Sequence, residues 1–409
     1  MILNNKLKDT LLYIFFEGLS KGGNTLIFLL SATILSKDEY VNLLLLFSLE
    51  GLFIILSPLY YTDVLYKLRD EYSFSRIKDN TFKIVLIYGL LLFLVFFLFQ
   101  NPIKEFYNVD NFVVIVSIIF IVIFRLTFQI QSVNYQISED HNNAIKNKAY
   151  PFLSSFVLGL FFFIFFNDKI LGFFLGRFTG FLLMFMLSSR RFIIEFNLNF
   201  DYNFLLDFIK RAVNLIVIGL GGWFLGYGML NILKEFYSQE INFNVGLMLN
   251  LWSILLLVAN GINGVYFPAF RKEYLNNKAG VKVLFNKVLY LYLFVLLVIL
   301  ILFLFFKDLT TINFFGYSVA VNSYLNIIPF VLLIFLAQIF QYVSMPYYIV
   351  QDEFKKLSFI GIVTNFISIL AIFTHHFYSN YIMIDIIWII ILSYYIKSMP
   401  IYLLKNKMV

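Results

Sequence analysis

The sequence predicts an all-α polytopic membrane protein that crosses a bilayer about twelve times. Of its 409 residues 61% are hydrophobic and only 13% charged, against about 25% charged in an ordinary soluble domain, and the mean hydropathy is +0.85. Its apolar stretches run unbroken for about 20 residues, the length that carries a helix across hydrocarbon at 1.5 Å per residue. Lipid offers no partner to free backbone N–H and C=O groups, so a spanning chain is either helical or a closed barrel. Barrel strands alternate over about ten residues, and these runs do not alternate.

In order, the expected spans are 11–35, 40–66, 82–100, 111–134, 149–166, 170–188, 206–229, 243–267, 284–306, 323–349, 356–374 and 380–403. The first carries Glu17 and Lys21 and lacks a small-residue cleavage site, so it reads as a retained span rather than a signal peptide. The fifth and sixth are separated only by Asn167, Asp168 and Lys169, which suits a tight turn between antiparallel helices.

Orientation follows from the basic residues. Lys37, Lys104, Lys169, Lys234 and Lys307 fall on one side, while the loops on the side of both termini hold most of the others, including Arg69, Arg76, Arg190, Arg191, Arg211, Arg271 and Lys397. This asymmetry predicts cytoplasmic termini and an even number of spans. The net charge of +7 is dispersed over short loops, so it is a topology signal and no footprint for nucleic acid. There are no cysteines, which excludes disulfides, thiol catalysis and cysteine metal sites.

A weak repeat divides the chain into halves 1–200 and 201–409. Arg69-Asp70-Glu71-Tyr72 after span 2 matches Arg271-Lys272-Glu273-Tyr274 after span 8, and Tyr135-Gln136-Ile137-Ser138-Glu139-Asp140 matches Tyr348-Ile349-Val350-Gln351-Asp352-Glu353, both at offsets of roughly 200 residues. Six spans per half gives both halves the same orientation, so their axis would run along the membrane normal.

Charges within the spans need a reason, because an uncompensated one costs roughly 2.5 to 3.5 kcal/mol even on the mild insertion scale. Span 1 places Glu17, Lys21, Asn24 and Ser31 on one stripe; span 4 places Arg125, Gln129, Ser132 and Gln136 on another. Arg177 lies in span 6. Span 8 adds Asn250, Ser253, Asn260 and Asn263, and span 10 adds Gln338 and Gln341. Single amides are equally what interhelical hydrogen bonds require. Recurrence in both halves fits a wetted, cationic cavity for an anionic substrate, lined by Lys21, Asn24, Arg125, Gln129, Arg177, Asn250, Asn260, Asn263, Gln338 and Gln341. Glu17 and Glu50 are the carboxylates placed to couple an ion; Glu50 serves equally as a salt-bridge partner for Lys21.

With these residues set out, the layout resembles the O-antigen and polysaccharide-repeat flippases, the oligosaccharide-lipid branch of the superfamily that also contains multidrug and toxin extruders. The resemblance is carried by Gly18-Leu19-Ser20-Lys21-Gly22-Gly23-Asn24, by Ile34-Leu35-Ser36-Lys37-Asp38-Glu39-Tyr40, by Gly221-Gly222-Trp223-Phe224-Leu225, and by Ala259-Asn260-Gly261-Ile262-Asn263 with Phe267-Pro268. These proteins often carry an Asp-Arg pair after span 7, where this chain has Met229-Leu230-Asn231. The resemblance implies two six-helix bundles in a V-shaped transporter that moves an undecaprenyl-pyrophosphate-linked oligosaccharide across a bacterial inner membrane by alternating access. Its implied partners are that lipid-linked oligosaccharide, membrane lipid, a polysaccharide polymerase and a chain-length regulator.

A multidrug extruder shares the architecture, but cationic drugs favour an acidic cavity, and here Lys21, Arg125 and Arg177 outnumber Glu17 and Glu50. A membrane enzyme such as a polymerase would need reactive groups on an outer loop, and the longest, Lys307 to Asn322, offers only Asp308. His375 and His376 read as solvated loop residues without a third ligand, so no metal is expected. No cofactor is expected either, and no glycine-rich nucleotide loop is present to supply energy.

Overall fold

The computed structural model describes residues 27–188 and 201–404, apart from 62–63, 66–67, 69–70, 110, 138–139, 277, 307–310, 315–316, 321–324, 352 and 379–382. The described chain is helical nearly throughout. After α1 (27–34) come α2 (Lys37–Leu56), α3 (Phe74–Leu98), the short α4 (Gln100–Tyr107), α5 (Phe112–Ile137), α6 (His141–Phe165), α7 (Lys169–Ser188) and α8 (Tyr202–Trp223). Then follow α9 (Met229–Phe236), α10 (Gln239–Asn276), α11 (Lys278–Phe306), α12 (Ile328–Val350), α13 (Phe354–Tyr378) and α14 (Met383–Leu404). Eleven stretches of the described residues are long and apolar enough to cross a membrane, each close to an expected span; most of expected span 11–35 lies outside the described residues.

Local chemistry explains where the boundaries differ from the sequence expectation. The second span was expected to run to 66, but α2 stops at Leu56, because Ser57 caps a 3-10 turn over Pro58–Tyr60 with its hydroxyl accepting from the Leu59 N–H at 3.3 Å. Proline at the first position of that turn lacks the N–H that would continue α2. The seventh span is interrupted by a π-helical turn over Phe224–Gly228, where Gly226 departs from helical geometry at φ −91° and ψ −131°. The eighth is far longer than its apolar core, since α10 continues through Arg271-Lys272-Glu273. The segment between α11 and α12 carries a small antiparallel hairpin, β1 (Thr311–Phe314) against β2 (Tyr317–Ala320), with Thr311 opposite Ala320. It is a minor addition to a helical chain.

The chain divides into two compact units, one built on Leu45–Leu220 and the other on Phe28–Leu44 with Gly221–Val409. In the first, α6 and α7 form the tightest pair. The glycines Gly172, Gly176 and Gly180 recur every four residues along one face of α7, and a Cβ added at Gly172 would sit 2.6 Å from the Phe162 carbonyl oxygen, one at Gly180 2.6 Å from that of Ser154. Backbones come this close in lipid only where side chains are absent, since dispersion rather than water expulsion holds such helices. Phenylalanines fill the rest: Phe124 lies 5.1 Å from Phe185, and Phe152 lies 5.4 Å from Phe181. In the second unit α12 packs on α10, α11 and α14, and α13 on α14.

Candidate functional site

Glu50, Arg125 and Arg177, which the sequence singles out as charges in apolar runs, meet inside the first unit. Glu50 projects from α2 and is fully buried. Arg177, from α7, is 1% exposed and grips it with both terminal nitrogens: Nη1 donates to Oε2, and Nη2 donates to Oε1 at 2.9 Å. Arg125, from α5, donates from Nη1 to Oε1 at 3.1 Å. Two guanidinium groups thus share one carboxylate, a geometry in which Glu50 is saturated and one positive charge is left over.

The close packing of α6 on α7 is what encloses Arg177. A Cβ added at Gly159 of α6 would lie 2.8 Å from Arg177 Cγ, so only glycine leaves room for the arginine stem. The guanidinium also lies over Phe173 at 5.2 Å and Phe47 at 5.6 Å, cation–π contacts that gain strength where water is excluded. Its Nε has no partner among the described residues. Taking such ions out of water is expensive, and charge-assisted hydrogen bonds offset the cost only when both partners stay in place.

Arg125 differs from Arg177 in being open. Its side chain keeps 21% exposure, lies over Phe152 at 5.2 Å, and uses only one of five donors on Glu50. Gln129, one turn further along α5, shares its face and donates from Nε2 to the Tyr60 carbonyl at 3.0 Å. The surplus charge of the triad therefore sits where a ligand can reach it.

The sequence offered Lys21 as a partner for Glu50; the described partners are the two arginines. Glu17, Lys21 and Asn24 lie outside the described residues, as do the side chains of Gln136 and Asn260. The remaining candidates fall in the second unit, engaged with aromatic hydroxyls and indoles that the sequence reading left aside. Asn250 donates to the Tyr40 hydroxyl and accepts from that of Tyr227. Asn263 accepts from Tyr292 at 2.8 Å. Gln338 accepts from Trp252 Nε1 at 2.8 Å and from Tyr342 at 3.2 Å. Gln341 Oε1 is buried without a partner among the described residues.

Two expectations are corrected. His375 and His376 end the helix α13 rather than sitting in a loop, and His375 is flanked by the Tyr237 hydroxyl at 3.1 Å and Asp385 Oδ2 at 3.4 Å. Among the described residues no cluster of three His, Cys, Asp or Glu could hold a metal. Lys397, assigned by the sequence to the charged loops, lies within α14 and is buried.

No protein-family profile and no curated protein matches the sequence. Solved structures do match over nearly the whole length. An inward-facing multidrug resistance MATE family transporter of the MOP superfamily superposes with a TM-score of 0.74 at 10% identity, covering 97% of each chain. The fold is that of the MATE transporters. A MATE protein in complex with MaL6 gives 0.62 at 10% identity over 98% of this chain and 95% of its own. A MOP superfamily transporter from Pyrococcus furiosus, whose binding pocket is described as having a reversed polarity that suggests a different function, gives 0.64 at 12% identity over 98% and 95%. The MATE fold accounts for about twelve helices here, and at these identities the likeness shows the fold alone.

Proposed function

We propose that this chain is a secondary transporter of the multidrug-extrusion type that moves amphiphilic organic molecules across a membrane by alternating access. The observation that supports it is the likeness of fold to multidrug MATE transporters over 97% of the chain. That likeness favours extrusion over the lipid-linked oligosaccharide flipping that the sequence motifs imply. The Arg125–Glu50–Arg177 triad refines the reading: with two cations to one anion, it attracts anionic or neutral amphiphiles and repels cations. The Pyrococcus furiosus transporter, with its pocket of reversed polarity, is the relative that this refinement resembles.

Arg125 also supports a second reading, in which the anionic group it meets is the pyrophosphate of an undecaprenyl-linked oligosaccharide. In that case a polysaccharide polymerase and a chain-length regulator become partners. A bacterial inner membrane, cytoplasmic termini and an origin in halves 1–200 and 201–409 belong to the proposal as well.

Purified protein in liposomes decides between the readings. Efflux of an anionic fluorescent dye faster than a cationic one, reduced about tenfold in Arg125→Ala, a loss worth about 1.4 kcal/mol of interaction, is the expected result. Accelerated lectin access to a lipid-pyrophosphate-linked sugar, without dye efflux, would transfer the assignment to the flippase. Movement of neither probe would overturn both.

A further inference from the structure

Glu50 does not need both of its arginines. Arg177 reaches the two carboxylate oxygens with two nitrogens, whereas Arg125 makes a single bond, to Oε1 at 3.1 Å, and that oxygen already accepts from Arg177 Nη2 at 2.9 Å. If Arg125 lets go, Glu50 stays ion-paired and hydrogen-bonded at both oxygens, so the penalty for an unpaired buried carboxylate does not arise. Arg177 is buried and bidentate and has no such freedom. One arginine therefore neutralises Glu50 permanently, and the other is exchangeable.

An exchangeable guanidinium has to be held by something besides its ion-pair partner, because an arginine stem that regains its rotamer freedom must lose it again at every binding event. Phe152 of α6 supplies the hold, with its ring centre 5.2 Å from the Arg125 guanidinium carbon. A ring face attracts the cation without occupying any N–H donor, so the donors along the guanidinium edge stay available. The ring is itself fixed. It meets Phe181 of α7 edge-on at 5.4 Å, with 79° between the planes, and Phe181 stacks at 6.4 Å on Phe128, which follows Arg125 by one turn of α5. Phe152 is half-buried, so three helices back a ring that still borders the open end of the triad.

We infer that Phe152 is the positioning residue of the anion site: an incoming anionic group takes the place of Glu50 at Arg125, Arg177 keeps Glu50 neutralised, and the Phe152 ring keeps the guanidinium at the open end while its partner changes. The inference rests on the reading of Arg125 as the contact for an anion. A leucine at 152 would fill similar space in the helix packing but has no ring quadrupole to hold the cation. The contribution of Phe152 to binding is thus specific to charge and passes through Arg125.

The test is a titration of carboxyfluorescein, an anionic dye, onto the full chain in zwitterionic nanodiscs, read by fluorescence anisotropy. Phe152→Leu is expected to weaken binding about three- to tenfold, and Phe152→Tyr, which keeps the ring, to hold it within about twofold of wild type. In an Arg125→Ala background, Phe152→Leu should change binding by less than about twofold, because the contact it removes is already gone. Should Phe152→Leu not fold, Phe152→Met, unbranched and without a ring, takes its place with the same expected loss. Wild-type protein that does not bind the dye, or Arg125→Ala that binds it as tightly as wild type, overturns the anion reading and this inference with it. Binding that Phe152→Leu leaves unchanged, or weakens equally in the Arg125→Ala background, overturns the inference alone and leaves Phe152 a packing residue.

Discussion

At the scale of single residues, Glu50 carries the heaviest consequence. It is the sole described anion between Arg125 and Arg177, so Glu50→Gln leaves Arg177 charged, buried and uncompensated. Removing one partner of a buried pair costs about 3 to 5 kcal/mol; Arg125→Gln, at the half-open end, costs nearer 1 kcal/mol. Thermal unfolding in detergent should rank the two variants in that order, and equal effects would contradict the triad as drawn. Both arginines and Glu50 were visible in the sequence because a charge in a 20-residue apolar run stands out. Their pairing was not visible, since Glu50 meets residues 75 and 127 positions away, and a helix sequence says nothing about which neighbour faces it. Lys397 was misplaced for the opposite reason. Basic residues near the end of a last span usually mark a loop, yet the spacing of Ile390, Tyr394, Lys397 and Ile401 already put it on the buried stripe.

At the scale of elements, the α6–α7 pair makes a sharp test. A methyl group at Gly176 would run into the backbone of Leu158 and Gly159, and overpacking of this kind costs about 1 to 3 kcal/mol. Gly222 on α8 is exposed with nothing within 4 Å of an added Cβ, so there the same change to alanine gains up to about 1 kcal/mol from helix propensity. Opposite signs for Gly176→Ala and Gly222→Ala, measured as shifts in melting temperature, are expected; matching signs would mean that α6 and α7 are less closely fitted than described. The repeat Gly172, Gly176, Gly180 was present in the sequence and is the signal that would have named Arg177, which follows one of its members, as the enclosed arginine. The ends of elements were less legible, because a 3-10 turn at Ser57-Pro58 and the run of α10 beyond its apolar core depend on capping and packing rather than on hydropathy.

At the scale of the whole molecule, one end of the first unit is tied by a polar cluster. Arg211 binds Glu71 at 2.6 Å, the Tyr72 hydroxyl donates to Asp207 at 2.6 Å, and Arg76 pairs with Asp201. The hydrogen bond from Arg76 holds the Asp201 carboxyl below the usual carboxylate range. Because the folded value is the lower one, this tie is complete at neutral pH and is lost as pH falls through the folded carboxyl's range. The stability gap between wild type and Asp201→Asn should therefore begin to narrow as pH falls towards the ordinary carboxylate range and close only below it, and it should be small throughout, as the pair is solvated. A gap that stays constant across that range would remove Asp201 from the account.

One of the points where the chain passes between the units falls at Leu220 and Gly221, immediately before the π-turn over Phe224–Gly228. A π-turn is what an α-helix becomes when it absorbs one extra residue. The Tyr394 hydroxyl donates to the Leu225 carbonyl at 2.9 Å, so a distant helix supports the irregularity. Deleting a single residue there would restore an unbroken ladder while turning everything after it by about 100°, carrying Met229, Leu230 and Leu233 off the buried face they now occupy. Backbone regularity and side-chain packing thus pull in opposite directions at this junction, and the length of the chain, counted to the residue, is held there by the packing.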